Sequence, residues 1–290
     1  MISLTRDMRP DARRVSREAA TQAPIGTREA GANTCFTVID QAPRATFERY
    51  VEHLEKTGWL PTRDLEAGIL KGPQITGNGP ARLIPRALRR WIKSLMTEVL
   101  RPRERRKAAA LRAATPDLKL NLGCGHTHLE GWVNVDYDVS TRPDLVWDLR
   151  RPIPFPDGSA VAVFHEHLLE HIPLWAAAPF MHECRRLLRP GGVLRVAVPD
   201  FGRYARDYCG PRSLIESLRP GRPTALLALY EMAYCYEHTS IWDEETLLTL
   251  FREVGFEDPE IKAFGETSLL PAPERAWRRL ETIYAEAVKR

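Results

Sequence analysis

The sequence predicts an α/β fold in which a mostly parallel sheet carries helices on both faces. From residue 118 onward, short β-prone runs alternate with stretches of helical periodicity, and repeated strand–helix units build this kind of sheet. The run Val161–Phe164 is apolar throughout, which is typical of a strand buried on both faces. No apolar run reaches the roughly 18 residues that a membrane-spanning helix needs, so the sequence predicts no such helix.

Four segments follow one another along the chain. Residues 1–33 are polar without hydrophobic periodicity and are predicted to be a disordered arm. Residues 34–83 combine a small appended element with a linker rich in glycine and proline. Residues 84–112 form a basic amphipathic helical segment, which Pro102 is expected to interrupt. Residues 113–290 form the α/β domain.

The elements expected within the α/β domain alternate in the order that this fold requires. The strands are predicted at Leu118–Leu122, Trp132–Val135, Leu145–Trp147, Val161–Phe164 and Val193–Val198. The helices are predicted at Leu174–Leu188 and Glu244–Val254, each followed by a glycine-containing stop. Two further β-prone stretches, near Ile261–Phe264 and over Thr282–Val288, close the chain.

The charge distribution separates the two parts of the chain. The net charge of +4 combines +10 over residues 1–119 with −6 over residues 120–290. The tract from Arg82 to Arg112 holds 11 basic residues. We expect its helix to dock on the α/β domain with the basic side chains in solvent. Peripheral contact with an anionic membrane through residues 84–112 is the second interpretation, and nucleic acid is the least favoured partner.

Cysteine usage and the first residues bear on the compartment. The five cysteines have irregular spacings, which give neither a disulfide framework nor a zinc motif. Residues 1–30 lack the apolar stretch of a secretory signal. The expectation is a cytoplasmic protein, with the inner membrane face as the place of any peripheral contact.

Successive predicted strands end in a glycine turn and two acids. Gly123 and Gly125 follow the first strand and allow a tight turn with close approach of a ligand. His128 stands where a dinucleotide fingerprint needs its third glycine, which disfavours NAD. Asp136 ends the second strand and can accept hydrogen bonds from both ribose hydroxyls, while Asp148 ends the third and can accept one from an adenine amine. Together they indicate an adenosine-bearing cofactor, although a glycine pair alone is often only a turn.

Many motifs from residue 118 onward resemble one enzyme family. They are Leu120–Gly125, Gly131–Asp136, Asp148-Leu149, Pro152–Ser159, His167–His171, Leu188–Gly192, Val198–Asp200, His238, Trp242-Asp243, Val254–Phe256 and Tyr284–Ala287. In this order they resemble the class I S-adenosylmethionine-dependent methyltransferases, in particular the branch associated with bacterial polysaccharide biosynthesis. The resemblance implies a Rossmann-like, seven-stranded doubly wound sheet with an antiparallel last strand. It also implies S-adenosylmethionine as the cofactor.

The resemblance also implies which residues hold the cofactor. The implied set is Asn121, Gly123, Cys124, Gly125, Asp136, Tyr137, Asp148, Leu149, His165 and Glu166. The glycine loop would touch the methionine moiety, Asp136 the ribose, and Asp148 with Leu149 the adenine. The chain departs from the family pattern at Asn121, where many members have an acid, and at Ala160-Val161, where a Phe-Asp pair is typical.

Histidines are the candidate proton acceptors for methyl transfer, because their ordinary pKa lies near neutrality. His167 follows the fourth strand and is the leading candidate, His238 is the second, and His171 has an equally plausible packing role. No metal site is expected, because the sequence shows neither an anchored third ligand nor partners that would orient histidine ligands.

The acceptor side is predicted over residues 201–240, which would form a lid. Aromatic residues that can stack on sugars or planar acceptors are concentrated there: Tyr204, Tyr208, Tyr230, Tyr234, Tyr236 and Trp242. The spacing of Tyr230 and Tyr234 fits the packed face of a helix equally well. The resemblance implies methyl transfer to an oxygen of a saccharide or glycan intermediate. The alternatives are another small molecule or RNA as acceptor, or a catalytically silent domain that binds the cofactor or a partner.

Overall fold

The computed structural model describes residues 86–290, with side chains from residue 95 onward. The predictions for residues 1–33 and 34–83 concern parts of the chain outside the described residues. Within the described range no helix is both long and apolar enough to cross a membrane.

The described residues form an alternating series of helices and strands. The strands are β1 (Leu118–Leu122), β2 (Val133–Asp136), β3 (Leu145–Val146), β4 (Ala160–Glu166), β5 (Leu188–Pro199), β6 (Glu260–Lys262) and β7 (Thr282–Val288). The helices are α1 (Arg86–Ala114), α2 (Leu174–Leu187), α3 (Phe201–Cys209), α4 (Ser213–Leu218), α5 (Ala225–Tyr234) and α6 (Glu244–Glu253).

All seven strands form one sheet in the order β3-β2-β1-β4-β5-β7-β6. Strands β1 to β5 are parallel to one another, whereas β7 runs antiparallel to both β5 and β6. This confirms the predicted seven-stranded sheet with an antiparallel last strand. In the register, Pro199 at the end of β5 lies beside Thr282 at the start of β7. The residues just before β7 therefore lie at the edge where the parallel strands end.

Three groups of buried apolar residues hold these layers together. The largest joins the sheet to α2 and α6 and includes Leu120, Met181 and Phe251, each fully buried or nearly so. A second, on other strand residues, centres on Phe164 and Tyr284. The third is Tyr204, Ile215, Ala228 and Met232, which join α3, α4 and α5 into a small layer within the predicted lid.

Helix α1 runs through Pro102 without a break, so the predicted interruption is wrong. Proline removes one backbone donor and disfavours the helix, but the half of α1 after Pro102 is fixed to the sheet. There the carboxylate of Glu104 accepts a hydrogen bond of 3.0 Å from the backbone N–H of Val146, and Ala108 is fully buried. Docking of this half provides the tertiary contacts that compensate for the proline.

Candidate active site

The glycine turn follows β1 and is held against β2. The backbone N–H groups of Gly123 and Cys124 both donate to the carbonyl of Val135, at 2.8 and 3.1 Å. Gly123 has φ +66°, and a Cβ there would lie 2.6 Å from Leu168. Gly125 has φ +52°, but a Cβ there would meet nothing within 4 Å. Both positions therefore favour glycine by conformation, and Gly125 borders open space.

Asp136 lies beside this turn at the end of β2. Its Oδ2 accepts a 2.9 Å hydrogen bond from the N–H of Gly125, and its Oδ1 accepts one of 2.8 Å from the N–H of Asp138. Each carboxylate oxygen has two lone pairs, so the backbone bonds orient the carboxylate without excluding ribose hydroxyls. The sequence prediction placed the ribose contact here, and the geometry suits it.

Asp148 has a different environment from the one predicted for an adenine contact. Arg150 binds it through Nε, a terminal nitrogen and the backbone N–H, with hydrogen bonds of 2.7 to 3.2 Å. Burial alone would raise the pKa of Asp148, but the hydrogen bonds from Arg150 outweigh burial and lower it. These four bonds match the roughly four lone-pair positions of a carboxylate. An adenine amine could therefore bind only after Arg150, whose side chain is 74% exposed, moves away.

Two neighbours of Asp148 and Asp136 line the same edge. Tyr137 is 47% exposed, so its ring is accessible to a ligand. Leu149 is partly buried and packs against the main core. Both positions are compatible with an adenine pocket.

Asn121 and Cys124 shape the turn through their side chains. The Asn121 amide donates to the carbonyl of Thr127 at 3.0 Å and to Oδ1 of Asn134 at 2.9 Å, which ties the loop after the glycines to β2. Cys124 is buried, and burial raises the pKa of its thiol to about 12. The thiol is therefore protonated at neutral pH. These two residues act on a ligand through the loop that they position.

His165 was predicted beside the cofactor, and its side chain does not reach the crevice. It is 0% exposed and packs edge-on against Phe180 of α2, with 5.3 Å between ring centroids. Burial lowers its pKa to about 3. Successive residues of a strand point to opposite faces, so His165 points into the helix layer. The buried side chain of His165 offers no contact to a ligand in the crevice, so the predicted place of this residue beside the cofactor stays a prediction that only its backbone could fulfil.

Glu166, at the end of β4, pairs with an arginine that the sequence interpretation missed. Arg275 of the β6–β7 loop binds Glu166 through Nε, and its backbone N–H donates to Oε1 at 3.1 Å. A terminal nitrogen of Arg275 donates to Thr127 Oγ1 at 2.7 Å. Arg275 therefore joins the end of β4 to the loop that follows the glycine turn.

His167 follows Glu166 and is nearly buried. It has φ +52°, and its side chain is 8% exposed. Its Nδ1 lies 3.2 Å from Oε1 of Glu170, and its Nε2 lies 3.0 Å from Oγ1 of Thr282. Burial lowers its pKa well below the ordinary value. Both ring nitrogens thus have neighbours in the protein, which makes His167 a weaker candidate base than predicted.

The other two candidate histidines meet beside the same glutamate. The rings of His171 and His238 contact edge to face, with centroids 5.1 Å apart, and Nε2 of His171 lies 3.9 Å from Oε1 of Glu170. Burial raises the pKa of Glu170 to about 8 and lowers that of His238 to about 4. Burial also lowers the pKa of His171. Burial therefore favours the neutral form of both imidazoles, which is the form that can accept a proton.

A known family model matches the part of the chain that contains several of these site residues. Residues 131–196 match the family model described as a methyltransferase domain. The match contains β2 with Asp136, β4 with Glu166, and the turn that carries Glu170. This part of the chain is similar to methyltransferase domains.

Curated relatives agree with this assignment. A probable S-adenosylmethionine-dependent methyltransferase of Mycolicibacterium smegmatis is 36% identical over 134 residues, covering 43% of this chain and 43% of the relative. One from Mycobacterium tuberculosis is 27% identical over 135 residues, covering 43% of this chain and 40% of the relative. The chain thus spans less than half the length of the curated relatives it matches. The domain and these relatives support S-adenosylmethionine as the cofactor and a methyltransferase as the enzyme class.

A solved structure of an S-adenosylmethionine-dependent methyltransferase from Archaeoglobus fulgidus is also similar. It is 16% identical, and the alignment covers 68% of this chain and 94% of that chain with a TM-score of 0.42.

Beyond Arg275, this edge of the sheet has further polar residues that sequence reasoning missed. Arg278 stacks on Trp277, 4.3 Å from the ring centroid, and its charge interacts with Glu166 and Glu170. Glu281 accepts hydrogen bonds from Tyr204 at 3.0 Å and from a buried arginine of the lid. Strand topology was the signal that could have found these residues, because the residues just before an antiparallel last strand lie at the edge where the parallel strands end.

Four of the aromatic residues predicted for the acceptor side divide into two pairs. Tyr204 and Trp242 are buried at 0% and 2% exposure, so they are packing residues. Tyr230 and Tyr234 contact each other with ring centroids 5.3 Å apart, but Tyr234 is 68% exposed. Tyr234 is therefore accessible to an acceptor.

Proposed function

We propose that this chain transfers the methyl group of S-adenosylmethionine to a hydroxyl oxygen of a saccharide or glycan intermediate. The observation that carries the proposal is the presence of two sites at the edge of the sheet where the parallel strands end. One is the oriented carboxylate of Asp136 beside the open space at Gly125. The other is the cluster of Glu170, His171 and His238.

The first site fits the cofactor. Bound S-adenosylmethionine would supply an activated methyl group on a sulfonium. The carboxylate of Asp136 is held by two backbone N–H groups, and this arrangement suits two ribose hydroxyls. Gly125 leaves room where a side chain would otherwise project. The arginine link from Arg275 to Thr127 steadies the far side of the same loop.

The second site fits removal of a proton from the acceptor. When an alcohol oxygen attacks a methyl carbon, the carbon–sulfur bond breaks, the carbon–oxygen bond forms and the hydroxyl proton must leave. His238 donates from Nδ1 to the carbonyl of Met232, which leaves Nε2 as the nitrogen that can take a proton. The buried Glu170 lies beside it in the same cluster.

Exposed aromatic residues close in sequence to this cluster and to Arg278 support a saccharide acceptor. Trp175, Tyr234 and Trp277 are 83%, 68% and 55% exposed. Each lies within four residues of His171, His238 or Arg278 along the chain. Aromatic faces stack on the apolar faces of sugar rings, so these three side chains are the candidate sugar contacts.

Calorimetric titration with S-adenosylmethionine tests the cofactor half of the proposal. We expect Asp136→Ala to weaken binding by about 10- to 100-fold, because hydrogen bonds to a charged group contribute about 1.5–3 kcal/mol. Asp117→Ala removes an exposed carboxylate that pairs only with Arg189 among the described contacts, and it should bind like the wild type. Equal affinity of wild type and Asp136→Ala would refute the ribose assignment.

Transfer of a radiolabelled methyl group tests the acceptor half. The substrates are a panel of oligosaccharides, total RNA and small amines. We expect alkali-stable label in saccharides that depends on Asp136. Label in RNA or amines would refute the acceptor, and cofactor binding without any transfer would support a catalytically silent domain.

We also propose that α1 makes peripheral contact with anionic membranes. Leu95, Met96 and Val99 are 46%, 44% and 72% exposed, and the surrounding tract from Arg82 to Arg112 holds 11 basic residues. Each Lys or Arg near an anionic surface contributes about 1 kcal/mol. Sedimentation with phosphatidylserine vesicles at low salt tests the idea, since a chain that stays in the supernatant refutes it.

A further inference from the structure

Glu170, His171 and His238 have the arrangement of a metal-ligand set. Each offers one ligand atom, and the three atoms lie within 4.8 Å of one another. Glu170 is 1% exposed. Its Oε1 lies 3.2 Å from Nδ1 of His167, yet neither carboxylate oxygen accepts a well-aligned hydrogen bond from the part of the chain that the structure describes. A buried carboxylate without such bonds is costly, and a cation would satisfy it.

Both imidazoles are oriented by the protein backbone. Nδ1 of His238 lies 2.5 Å from the carbonyl oxygen of Met232, and His171 hydrogen-bonds to the backbone of Glu237. Histidines that bind metals usually donate their other N–H to such a carbonyl, which fixes the ring and its tautomer. In this cluster the second nitrogen of each ring is the one left for a ligand.

The two segments that carry these ligands are clamped together. The N–H groups of Thr239 and Ser240 both donate to the carbonyl of Glu170, at 2.8 and 3.1 Å. The Ser240 hydroxyl donates to carbonyls of the Leu169–Ile172 turn, at 3.1 and 3.0 Å. These hydrogen bonds therefore fix the position of the two backbone segments that carry the ligand side chains.

We propose that Glu170, His171 and His238 bind a divalent transition-metal cation of the zinc type on the acceptor side of the crevice. Two imidazoles and one carboxylate suit Zn²⁺ and its chemical relatives. Three protein ligands leave a coordination position for an oxygen. The anchored third ligand and the orienting carbonyls that the sequence did not reveal are both present. Only the role of the cation rests on the proposed function: the cation would lower the pKa of the acceptor hydroxyl, and His238 would then serve as its ligand instead of as the base.

Arg278 provides the competing explanation. Its positive charge acts on Glu170, His171 and His238, so Glu170 could serve as its counter-ion instead. A cation site predicts that Arg278→Met binds metal more tightly, because a repelling charge is removed. A simple counter-ion predicts no metal binding in either form of the protein.

Titration of the chelator-treated full chain with Co²⁺, followed by visible absorption and calorimetry, tests the proposal. We expect one Co²⁺ per chain, displaced by Zn²⁺. Changes at residues that only orient a metal ligand weaken metal binding by about 10- to 100-fold. Glu170→Gln, His171→Ala and His238→Ala remove ligands themselves, so each should weaken Co²⁺ binding by more than that. The side chain of His171 is 38% exposed, so its replacement should disturb packing less than replacement of the buried Glu170. His182→Ala changes an exposed histidine outside the cluster and should bind normally.

The same samples are titrated with S-adenosylmethionine to separate the two proposals. Absence of Co²⁺ binding by the wild type, or unchanged binding in all three ligand variants, overturns the metal site. If S-adenosylmethionine still binds in that case, the proposed function stands without the metal. If Co²⁺ binds as expected and S-adenosylmethionine does not, the metal site stands and the proposed function fails.

Discussion

Two groups of buried charged residues in this protein differ in how completely they are paired. In the first group, Arg195 of β5 is fully buried and lies 2.6 Å from Glu274 and 3.6 Å from Glu286. It also packs over the ring of Tyr284, 5.2 Å from its centroid. In the second group, the buried carboxylate of Glu170 lies among histidines without a well-aligned hydrogen bond.

The difference distinguishes a stabilising cluster from a functional one. Opposite charges at Arg195 offset the desolvation of the pair, so removing one member leaves the others unpaired. Glu170 has the charge of Arg278 in its surroundings but, among the described residues, neither a salt bridge to an arginine nor a well-aligned hydrogen bond. Unsatisfied groups that a fold maintains concentrate at functional sites. The first group should therefore respond to mutation in stability and the second in activity.

The largest expected effect on stability is that of Arg195→Ala. Loss of the guanidinium leaves the buried carboxylates of Glu274 and Glu286 facing each other without a cation, which costs about 3–5 kcal/mol. Urea denaturation measures this loss. Arg189→Ala breaks an exposed pair with Asp117, in which both side chains are more than half exposed, and should cost less than about 1 kcal/mol. Similar losses in both variants would remove the distinction between the two groups.

The activity counterpart is His238→Ala. Loss of the nitrogen that faces Glu170 should lower methyl transfer by about 100-fold or more, whether the cluster acts by proton removal or through a cation. Binding of S-adenosylmethionine should stay unchanged, because His238 lies on the acceptor side. His182→Ala is the control for loss of a histidine, and kcat for methyl transfer is the measurement. A variant that loses stability but keeps its kcat would place His238 with the structural residues.

Arg275→Met lies between these extremes, because Arg275 is partly exposed at 26% while Glu166 is buried. We expect a loss of about 1.5–3 kcal/mol in unfolding free energy, since charged hydrogen bonds to Glu166 disappear. S-adenosylmethionine should also bind more weakly, because Thr127 loses its link to β4. Arg279→Met, an exposed neighbour in the same loop, is the matched control for denaturation and calorimetry. Equal behaviour of the two variants would show that the link has no role.

The fold could be predicted from the sequence because its signals are local. Apolar runs such as Val161–Phe164 mark strands over a few residues, and most observed bounds lie within a few positions of the predicted ones. The exception among the strands is β5, which begins five residues before its predicted start and contains the glycines predicted to stop α2. Helix α1 is also an exception, because the local signal of Pro102 predicts an interruption that does not occur. Docking of Glu104 and Ala108 on the sheet is a tertiary contact that no local pattern reveals.

The candidate site could be predicted only in part. Asp136 and the glycines are placed by the ends of adjacent strands, so the order of strands locates them. Arg275 and Arg278 reach the same edge from more than 100 residues away, and only the antiparallel entry into β7 brings them there. His165 was correctly predicted near a strand end, but the sequence did not show which face of the sheet its side chain occupies. A difference of one position along a strand reverses that face.

The smallest expected effect is that of Arg150→Ala, which tests the exposed pair with Asp148. The pair is worth at most about 1 kcal/mol to stability, because Arg150 is largely in solvent. Its removal frees Asp148 for the adenine amine, so S-adenosylmethionine should bind more tightly by less than about fivefold. Asp148→Asn should act in the opposite direction, because the amide nitrogen of asparagine cannot accept a hydrogen bond. Calorimetry of both variants provides the measurement. If neither substitution changes the affinity, Asp148 does not contact the adenine, and Tyr137 and Leu149 remain as the candidate adenine contacts.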